Sequence, residues 1–255
     1  MSQYIFYFAT NSPALRAAGH TLKAMGYQVS SHPWEGVTHL VLPIPSFDAD
    51  GGIKGGGDLG KLLQELPKAV TIIGGNMPKE GIPDYQTIDL LQDPCYLADN
   101  AAITAYCAVR LAMMEMPVIL RRCPVLIVGW GRISQCLSHL LHNMGANVTV
   151  AARKESDRAM AHALGFSTVI PSLLAGDLGS YRLIFNTAPA PVLSQQQISH
   201  CHPDCLKIDL ASVLGISGRH VLWARGLPGK DAPESSGALI AETILRLLSG
   251  KEEAS

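Results

Sequence analysis

Charge is scarce in this sequence, and it is not clustered. Only 16% of the 255 residues are charged, the formal net charge is −1, and no long basic run occurs. This argues against nucleic acid or an anionic membrane as the main partner, because both are recognised through concentrated positive charge. No apolar run approaches the roughly 20 residues that span a bilayer. The start, MSQYIFYFATNSP, lacks the basic and long apolar regions of a signal peptide, so we expect a cytoplasmic protein.

Several catalytic and metal-binding motifs are also missing. The sequence has no serine-hydrolase elbow, no Walker loop and no HExxH motif. Of the six cysteines, Cys201 and Cys205 form a CHPDC string, whose spacing matches no common zinc pattern and has no second pair nearby. We therefore predict buried, reduced thiols and no metal site.

The order of elements predicts an α/β protein with two Rossmann-like domains and doubly wound parallel sheets. Strand-like runs alternate with helix-like segments, and this alternation calls for right-handed crossovers and a mostly parallel sheet. A long helix over 96–116, ended by Pro117, is interpreted as the bridge between domains. We place a flavodoxin-like substrate domain at 1–98 together with a C-terminal helix at 235–255, and a dinucleotide-binding domain at 99–234.

The most glycine-rich segment, PSFDADGGIKGGGDLG (45–60), follows the strand HLVLP. It has two interpretations. One is a flexible surface loop. The other is a loop over a ligand site, because ligands bind at the carboxyl ends of the strands in open α/β sheets.

The string VLIVGWGRIS (125–134) predicts a strand, a glycine turn and a helix that together hold a dinucleotide. Gly129 permits the tight turn, and Gly131 lets the backbone approach a pyrophosphate. The amides at the start of the following helix then face the phosphates. Ser134 stands where the fingerprint has its third glycine, which mainly serves helix–strand packing. We expect its hydroxyl to bond to a carbonyl in the preceding turn and the site to be kept.

The end of the next strand favours NADP over NAD. NAD sites carry an acidic residue there, about 20 residues further on, to bond the ribose 2′-hydroxyl. This sequence has Arg153 and Lys154 instead. A guanidinium can bind a 2′-phosphate through two hydrogen bonds. The alternative is an ordinary solvated turn.

Polar residues follow two further strands at the same predicted sheet edge. Asn186 and Thr187 in LIFNTAP would meet the nicotinamide ribose, or would cap the next helix. Asp209 in IDLAS would orient the ribose or the nicotinamide, or would transfer a proton. It could also make only a loop hydrogen bond. The predicted cofactor-binding residues are Gly129, Trp130, Gly131, Arg132, Ile133, Arg153, Lys154, Asn186, Thr187 and Asp209, and Asp209 is the candidate catalytic residue.

Six strings occur in an order that closely resembles the A subunit of dipicolinate synthase: NAAITAYCAVRLAM, VGWGRIS, GANVTVAARK, FNTAP, IDLAS and ARGLPGKDAPESSG. The resemblance is strong over about residues 100–250 and weaker over the first 95, where the segment looks shortened. It implies a fold similar to the 2-hydroxyacid dehydrogenases. It also implies oxidation of a hydroxy-tetrahydrodipicolinate by NADP for spore formation, together with a flavoprotein-like B subunit.

The sequence departs from the family pattern at three places. Ser134 replaces the third glycine, and the family's TAEGA reads TAYCA at 104–108, without its acidic residue and its glycine. The family's Pro-Gly-Gly type turn after DLAS reads Val213-Leu214-Gly215. We therefore expect a divergent member of the family.

A substrate with two carboxylates needs cations or backbone amides. Lys230 is a candidate partner for one carboxylate, or simply a solvated lysine, and the final helix, capped by Ser235 or Ser236, could offer amides to an anion. The predicted substrate-binding residues are Ser46, Asn100, Thr104, Ser212, Lys230, Ser235 and Ser236. Two alternatives stay open, which are a different 2-hydroxyacid-dehydrogenase-like enzyme and a non-catalytic NADP-binding subunit or sensor. A homo-oligomer, such as a dimer, is also expected.

Overall fold

The computed structural model describes residues 4–33, 36–176, 178–218 and 220–252. The chain divides into two compact units, of which the first is Met1–Asn100 with Pro228–Ser255 and the second is Ala101–Leu227. The last three residues of the helix predicted at 235–255 lie outside the described residues. Within the described ranges no helix is both long enough and apolar enough to cross a membrane.

The first unit contains a five-stranded parallel sheet. Its strand order is β2-β1-β3-β4-β5, as in flavodoxin-like sheets. Its elements are β1 (Ile5–Phe8), α1 (Pro13–Ala24), β2 (Gln28–Ser30), β3 (His39–Val41), α2 (Leu59–Glu65), β4 (Thr71–Gly74), β5 (Gln86–Asp89), the start of α3 (Pro94–Glu115), most of α7 (Leu227–Asp231) and α8 (Pro233–Glu252). Helix α7 belongs to this unit from Pro228 onward.

Helix α1 shows how local sequence fixes an element in this unit. Ser12 caps it by accepting a hydrogen bond from the Leu15 amide, and Pro13 occupies the first helical position, where a missing N–H costs nothing. Gly26 ends the helix region with a φ of 90°, which favours glycine. The apolar face of α1 packs against α8, where a Cβ on Gly237 would lie 2.5 Å from Ala17 Cβ.

The glycine-rich segment 45–60 is an ordered set of turns. Phe47 and Ile53 form an antiparallel bridge, and the Asp48 carboxylate accepts hydrogen bonds from the Asp50 and Gly52 amides. Ile53 is 2% exposed and belongs to the core cluster under the sheet. Burial of such a side chain stabilises by about 2 kcal/mol, so this segment is anchored and is not a flexible surface loop.

The second unit contains a six-stranded parallel sheet. Its order, β11-β10-β9-β6-β7-β8, is that of a doubly wound dinucleotide-binding fold. Its elements are the rest of α3, β6 (Pro124–Val128), α4 (Arg132–Asn143), β7 (Asn147–Ala151), α5 (Glu155–Ala163), β8 (Ser167–Val169), β9 (Leu183–Asn186), α6 (Gln195–Ile198), β10 (Leu206–Asp209), β11 (Val221–Trp223) and the first residue of α7. The predicted fold class is confirmed.

Helix α3 begins earlier than the sequence pattern indicates. The pattern predicts a start at 96, but the helix begins at Pro94, and the carboxylate of the preceding Asp93 accepts a hydrogen bond from the Tyr96 amide. Arg246 of α8 also donates to Asp93 over 2.6 Å. This guanidinium holds the pKa of Asp93 below its ordinary value. The pair Asp93-Pro94 is the same start signal as Ser12-Pro13, but the apolar periodicity that set the predicted start begins only at Tyr96.

The final helix also differs from its prediction. It begins at Pro233, and the Ser236 amide already donates to the Ala232 carbonyl over 2.9 Å. Ser235 and Ser236 therefore lie inside the first turn, and the prediction that one of them caps the helix was wrong. The preceding Leu227–Asp231 forms the short helix α7.

Candidate functional site

The glycine turn of the second unit lies at the point where the strand order of its sheet reverses. Strand β6 ends at Val128 beside the ends of β7 and β9. Gly129 has a φ of 110°, and a Cβ there would lie 2.5 Å from Thr187 Oγ1. The Gly129 amide donates to the Ala151 carbonyl over 2.9 Å. Position 129 therefore needs both a positive φ and the absence of a Cβ. Only glycine meets both requirements, because L side chains rarely adopt such a φ.

Gly131 is different, since it leaves an open cradle. It precedes α4 with a φ of −87°, and a Cβ added there would meet nothing within 4 Å. It offers no side-chain cap, so the first amides of the 12-residue helix have no partner from it. Unfilled space in front of uncapped amides fits a pyrophosphate, which the helix dipole also favours.

Ser134 replaces the usual glycine without opening a gap. Its side chain is fully buried, and its Oγ lies 2.6 Å from Thr187 Oγ1. Because the Thr187 hydroxyl donates to the Val128 carbonyl over 3.0 Å, Ser134 is the donor to Thr187. The prediction of a bond from Ser134 to a carbonyl in the turn was wrong, since the Thr187 hydroxyl stands between the two groups. The pair links α4 to the end of β9.

A pair of serine substitutions tests this link. Ser134→Ala is expected to lower the free energy of unfolding by about 1 kcal/mol, because the hydrogen bond to Thr187 is lost. Ser138 lies one turn further along α4, and its buried Oγ has no hydrogen-bond partner within the described residues. Ser138→Ala should therefore be neutral or stabilising by about 1 kcal/mol. Urea denaturation of both variants measures the difference, and equal destabilisation by the two would contradict it.

The turn after β7 is strongly basic. Arg153 and Lys154 are both exposed, and in the part of the chain that the structure describes their side chains form no ion pair. Arg158 was missed by the sequence analysis. Its Nη1 donates to the carbonyls of Ala152 and Arg153 over 2.8 and 2.7 Å, which fixes this turn. The sequence signal for Arg158 was its place one turn into α5, from which a long side chain can reach back to the preceding turn.

The cradle at Gly131 is flanked along the chain by Trp130 on one side and by Arg132 and Ile133 on the other. The Trp130 ring packs edge-on against Phe166 with their centroids 6.0 Å apart. Arg132 is exposed at the first position of α4, and Ile133 is half-buried beside it. The structure thus brings these residues together with Gly129, Gly131 and the basic turn, since Ala151 is hydrogen-bonded to Gly129.

Asp209 ends β10 and is completely buried. One carboxylate oxygen accepts from Asn186 Nδ2 and the Ala211 amide, both over 3.0 Å. The other accepts from the Gly215 and Ile216 amides over 2.7 and 2.9 Å. Four donors satisfy the usual lone-pair sites of a carboxylate. Asp209 therefore makes loop hydrogen bonds, which were one of its predicted roles, and it holds the 210–216 loop in place.

Asn186 is the partner of Asp209 and is equally buried. Its Nδ2 also donates to the Ala188 carbonyl over 3.1 Å, and its Oδ1 accepts from the Ala188 amide over 3.0 Å. A Cβ on Gly215 would collide with Asn186 Nδ2, so the loop packs tightly on this amide. The polar groups of the Asn186 side chain are thus taken up by internal hydrogen bonds, whereas contact of the half-buried Thr187 with a ribose stays a prediction.

Ser46 also has a structural role where substrate binding was predicted. It is 0% exposed, and its hydroxyl donates to the Pro43 carbonyl while accepting from the Gly75 amide, both over 2.9 Å. A Cβ on Gly74 would collide with the same oxygen. Ser46 thus ties the loop after β3 to the end of β4.

The other predicted substrate residues differ in exposure. In the first unit Lys230 and Ser235 are exposed, Ser236 is 6% exposed, and Asn100 is half-buried. In the second unit Thr104 is 8% exposed, and Ser212 is exposed on the loop that Asp209 holds. Lys230, Ser235 and Ser212 thus keep side chains that a dissolved anion can reach.

Comparison with known proteins supports the family resemblance. No family model matches the chain. The A subunit of dipicolinate synthase of Bacillus subtilis (strain 168) is 28% identical over 157 residues, which are 58% of this chain and 53% of that protein. The match thus spans about half the length of this curated relative. The predicted resemblance to the dipicolinate synthase A subunits is confirmed.

Solved structures share the fold. The A subunit of dipicolinate synthase from Bacillus halodurans has a TM-score of 0.81 at 19% identity, covering 96% of this chain and 97% of that one. Its counterpart from Bacillus subtilis also has a TM-score of 0.81, at 18% identity, covering 100% and 99%. Salmonella D-lactate dehydrogenase has a TM-score of 0.65 at 11% identity, covering 94% and 95%. The fold is therefore that of dipicolinate synthase A subunits and dehydrogenases.

Proposed function

We propose that this chain is a cytoplasmic, NADP-dependent oxidoreductase that converts a hydroxy-tetrahydrodipicolinate to pyridine-2,6-dicarboxylate, the spore compound. The observation that carries the proposal is the open cradle at Gly131 beside the basic turn at Arg153 and Lys154. The relatives, which are named as A subunits of dipicolinate synthase, support the substrate class.

The chemistry assigns distinct tasks to the protein. In this conversion the ring loses one water, one hydride and one proton. When bound, NADP accepts the hydride at its nicotinamide ring. The amides that begin α4 would hold the pyrophosphate, and Arg153 and Lys154 would bind the 2′-phosphate. Arg158 keeps their turn in place through its two carbonyl contacts.

The substrate brings two carboxylates, which require positive charge or amides. Lys230 would supply an exposed ammonium for one of them, and Ser235 of the same unit would supply an exposed hydroxyl. In the second unit, Asp209 holds the loop that carries the exposed Ser212. The partners that this proposal includes are a second copy of the chain and a flavoprotein-like B subunit.

Arg153→Asp tests the cofactor. Wild type should bind NADP more tightly than NAD, and the variant should lose about 100-fold in NADP affinity while NAD affinity is kept or rises, because a carboxylate there can bond the ribose 2′-hydroxyl. The reason is that two charge-assisted hydrogen bonds, about 3 kcal/mol together, are lost. Calorimetric titration with both nucleotides measures this. Arg121→Asp is the control, because exposed Arg121 precedes β6 at the opposite edge of the same sheet. Equal binding of the two nucleotides by wild type would overturn the assignment of NADP.

A second candidate function is a non-catalytic NADP-binding subunit. It is favoured by Tyr106, which is 66% exposed and stands where the family's TAEGA has its glutamate. Turnover of hydroxy-tetrahydrodipicolinate with NADP, with and without a B subunit, separates the two candidates. Appearance of dipicolinate absorbance supports the enzyme, whereas tight NADP binding without product under both conditions supports the binding subunit.

A further inference from the structure

A cluster of two thiols and a lysine lies at the other end of β10, away from Asp209. Cys201 follows α6, and Cys205 immediately precedes β10. A turn joins them, since the Cys205 amide donates to the His202 carbonyl over 2.9 Å. Cys205 is 3% exposed within the core cluster of the second unit, and half-buried Cys201 packs against the same cluster. We call Cys201 and Cys205 the thiol pair.

The two members of the thiol pair interact across this turn. Both pack against the same core cluster, and each thiol changes the pKa of the other. In the reduced structure all six cysteines are free. Within the described residues no group of three or more metal-binding side chains is found.

Lys207 places a cation beside the thiol pair. It is only 4% exposed although it is a lysine, and its Nζ donates to the Cys205 carbonyl over 2.8 Å. Arg182 immediately precedes β9 and adds a second positive charge that acts on Cys205, and its buried Nε makes no hydrogen bond among the described residues. The Asp204 carboxylate is exposed and lies 3.6 Å from Arg182 and 3.9 Å from His202. The surroundings of the two sulfurs therefore favour a negative charge.

The two thiols have different pKa values. The hydrogen bond from Cys205, assisted by the Lys207 charge, lowers the pKa of Cys201 to about 7. The same contact and its deeper burial raise the pKa of Cys205 well above the ordinary value. At neutral pH a large share of Cys201 is therefore thiolate, which is the reactive form of cysteine, whereas Cys205 keeps its proton.

We propose that the thiol pair is a modification site, at which a peroxide converts Cys201 and Cys205 into a reversible disulfide. The Cys201 thiolate attacks one peroxide oxygen, the O–O bond breaks, and the leaving hydroxide takes a proton to give water. The Cys201 sulfenic acid then reacts with the Cys205 thiol, so that an S–S bond forms and a second water leaves. The two sulfurs lose two electrons together, and the peroxide gains them. This inference does not depend on the proposed oxidoreductase function.

Peptide mapping tests the proposal directly. Trypsin releases 183–207 as one peptide that contains both cysteines of the pair and none of the other four. After brief treatment of the folded protein with hydrogen peroxide, followed by alkylation, wild type should give this peptide without label and lighter by two hydrogen atoms. Dithiothreitol should restore two alkylatable thiols. Retention of both thiols, or pairing of Cys201 with any other cysteine, would overturn the proposal.

Single substitutions assign the roles. In Cys205→Ser the sulfenic acid has no partner, so dimedone should label Cys201, whereas Cys201→Ser should give neither disulfide nor dimedone label on this peptide. Lys207→Met should slow oxidation at neutral pH by about tenfold, because a thiolate loses its cation, and Lys207→Arg should restore most of the rate. Lys207→Met removes one tryptic site, so its peptide extends from 183 to 219 and contains no further cysteine. Dimedone labelling of Cys205 in Cys201→Ser would reverse the assignment of the attacking thiol.

Discussion

Asp209→Asn is expected to lower the free energy of unfolding by about 4 kcal/mol. Asparagine has nearly the same shape, but its NH₂ group cannot accept hydrogen bonds. The NH₂ group would replace one of the two carboxylate oxygens, for example the one that accepts from the Gly215 and Ile216 amides. Two of the four donors would then face another donor in a fully buried place. Each such buried donor costs about 1–3 kcal/mol. The melting temperature should fall by on the order of 10 °C, measured by calorimetry together with urea denaturation.

Glu155→Gln provides the matched control, since it makes the same carboxylate-to-amide exchange at an exposed position in the first turn of α5. It should change stability by no more than about 0.5 kcal/mol. The experiment also separates two roles for Asp209. A variant as stable as wild type that has lost only its turnover would contradict the structural role and favour proton transfer by Asp209.

Gly131→Val should abolish dinucleotide binding with little effect on folding. The added side chain would occupy open space, and the φ of −87° suits valine, so only the weaker helix cap costs about 1 kcal/mol. The same side chain would keep phosphate oxygens away from the amides of α4. Loss of two such bonds to a charged group, at about 1.5–3 kcal/mol each, predicts at least about a 100-fold weaker affinity for NADP. Calorimetric titration measures it.

Gly129→Val serves as the contrasting variant. Its φ of 110° and the close Thr187 hydroxyl make any side chain strained there. This variant should therefore lose stability first, by about 3 kcal/mol, whatever its effect on binding. If Gly131→Val bound NADP like wild type, the cradle would not be the pyrophosphate site.

The strands, the glycine turn and the basic turn could be predicted from the sequence because they depend on nearby residues. Val125 to Val128 form an apolar run, Gly129 follows directly, and the next strand ends one residue before Ala152. The cradle at Gly131 and the exposure of Arg153 are consequences of this local order. The same locality explains why the parallel sheets could be anticipated from alternating helices and strands.

The roles of the polar residues could not be predicted in this way. Asp209 follows an apolar strand at the predicted ligand edge, and nothing nearby in the sequence shows that Asn186, 23 positions away, donates to it. Ser134 and Thr187 are separated by 53 positions. A polar residue at a sheet edge can face a ligand or a neighbouring loop, and only the three-dimensional partners decide between the two.

The packing of α8 on α1 has a consequence for synthesis on the ribosome. The first unit consists of the beginning of the chain and its last segment, and it closes where Gly237 meets Ala17 and Ala18. A nascent chain emerges from its amino end. The apolar face of α1 therefore stays uncovered until the second unit and α8 have been translated. We expect the six-stranded sheet to be complete first, with the apolar face of α1 accessible to chaperones until α8 has left the ribosome.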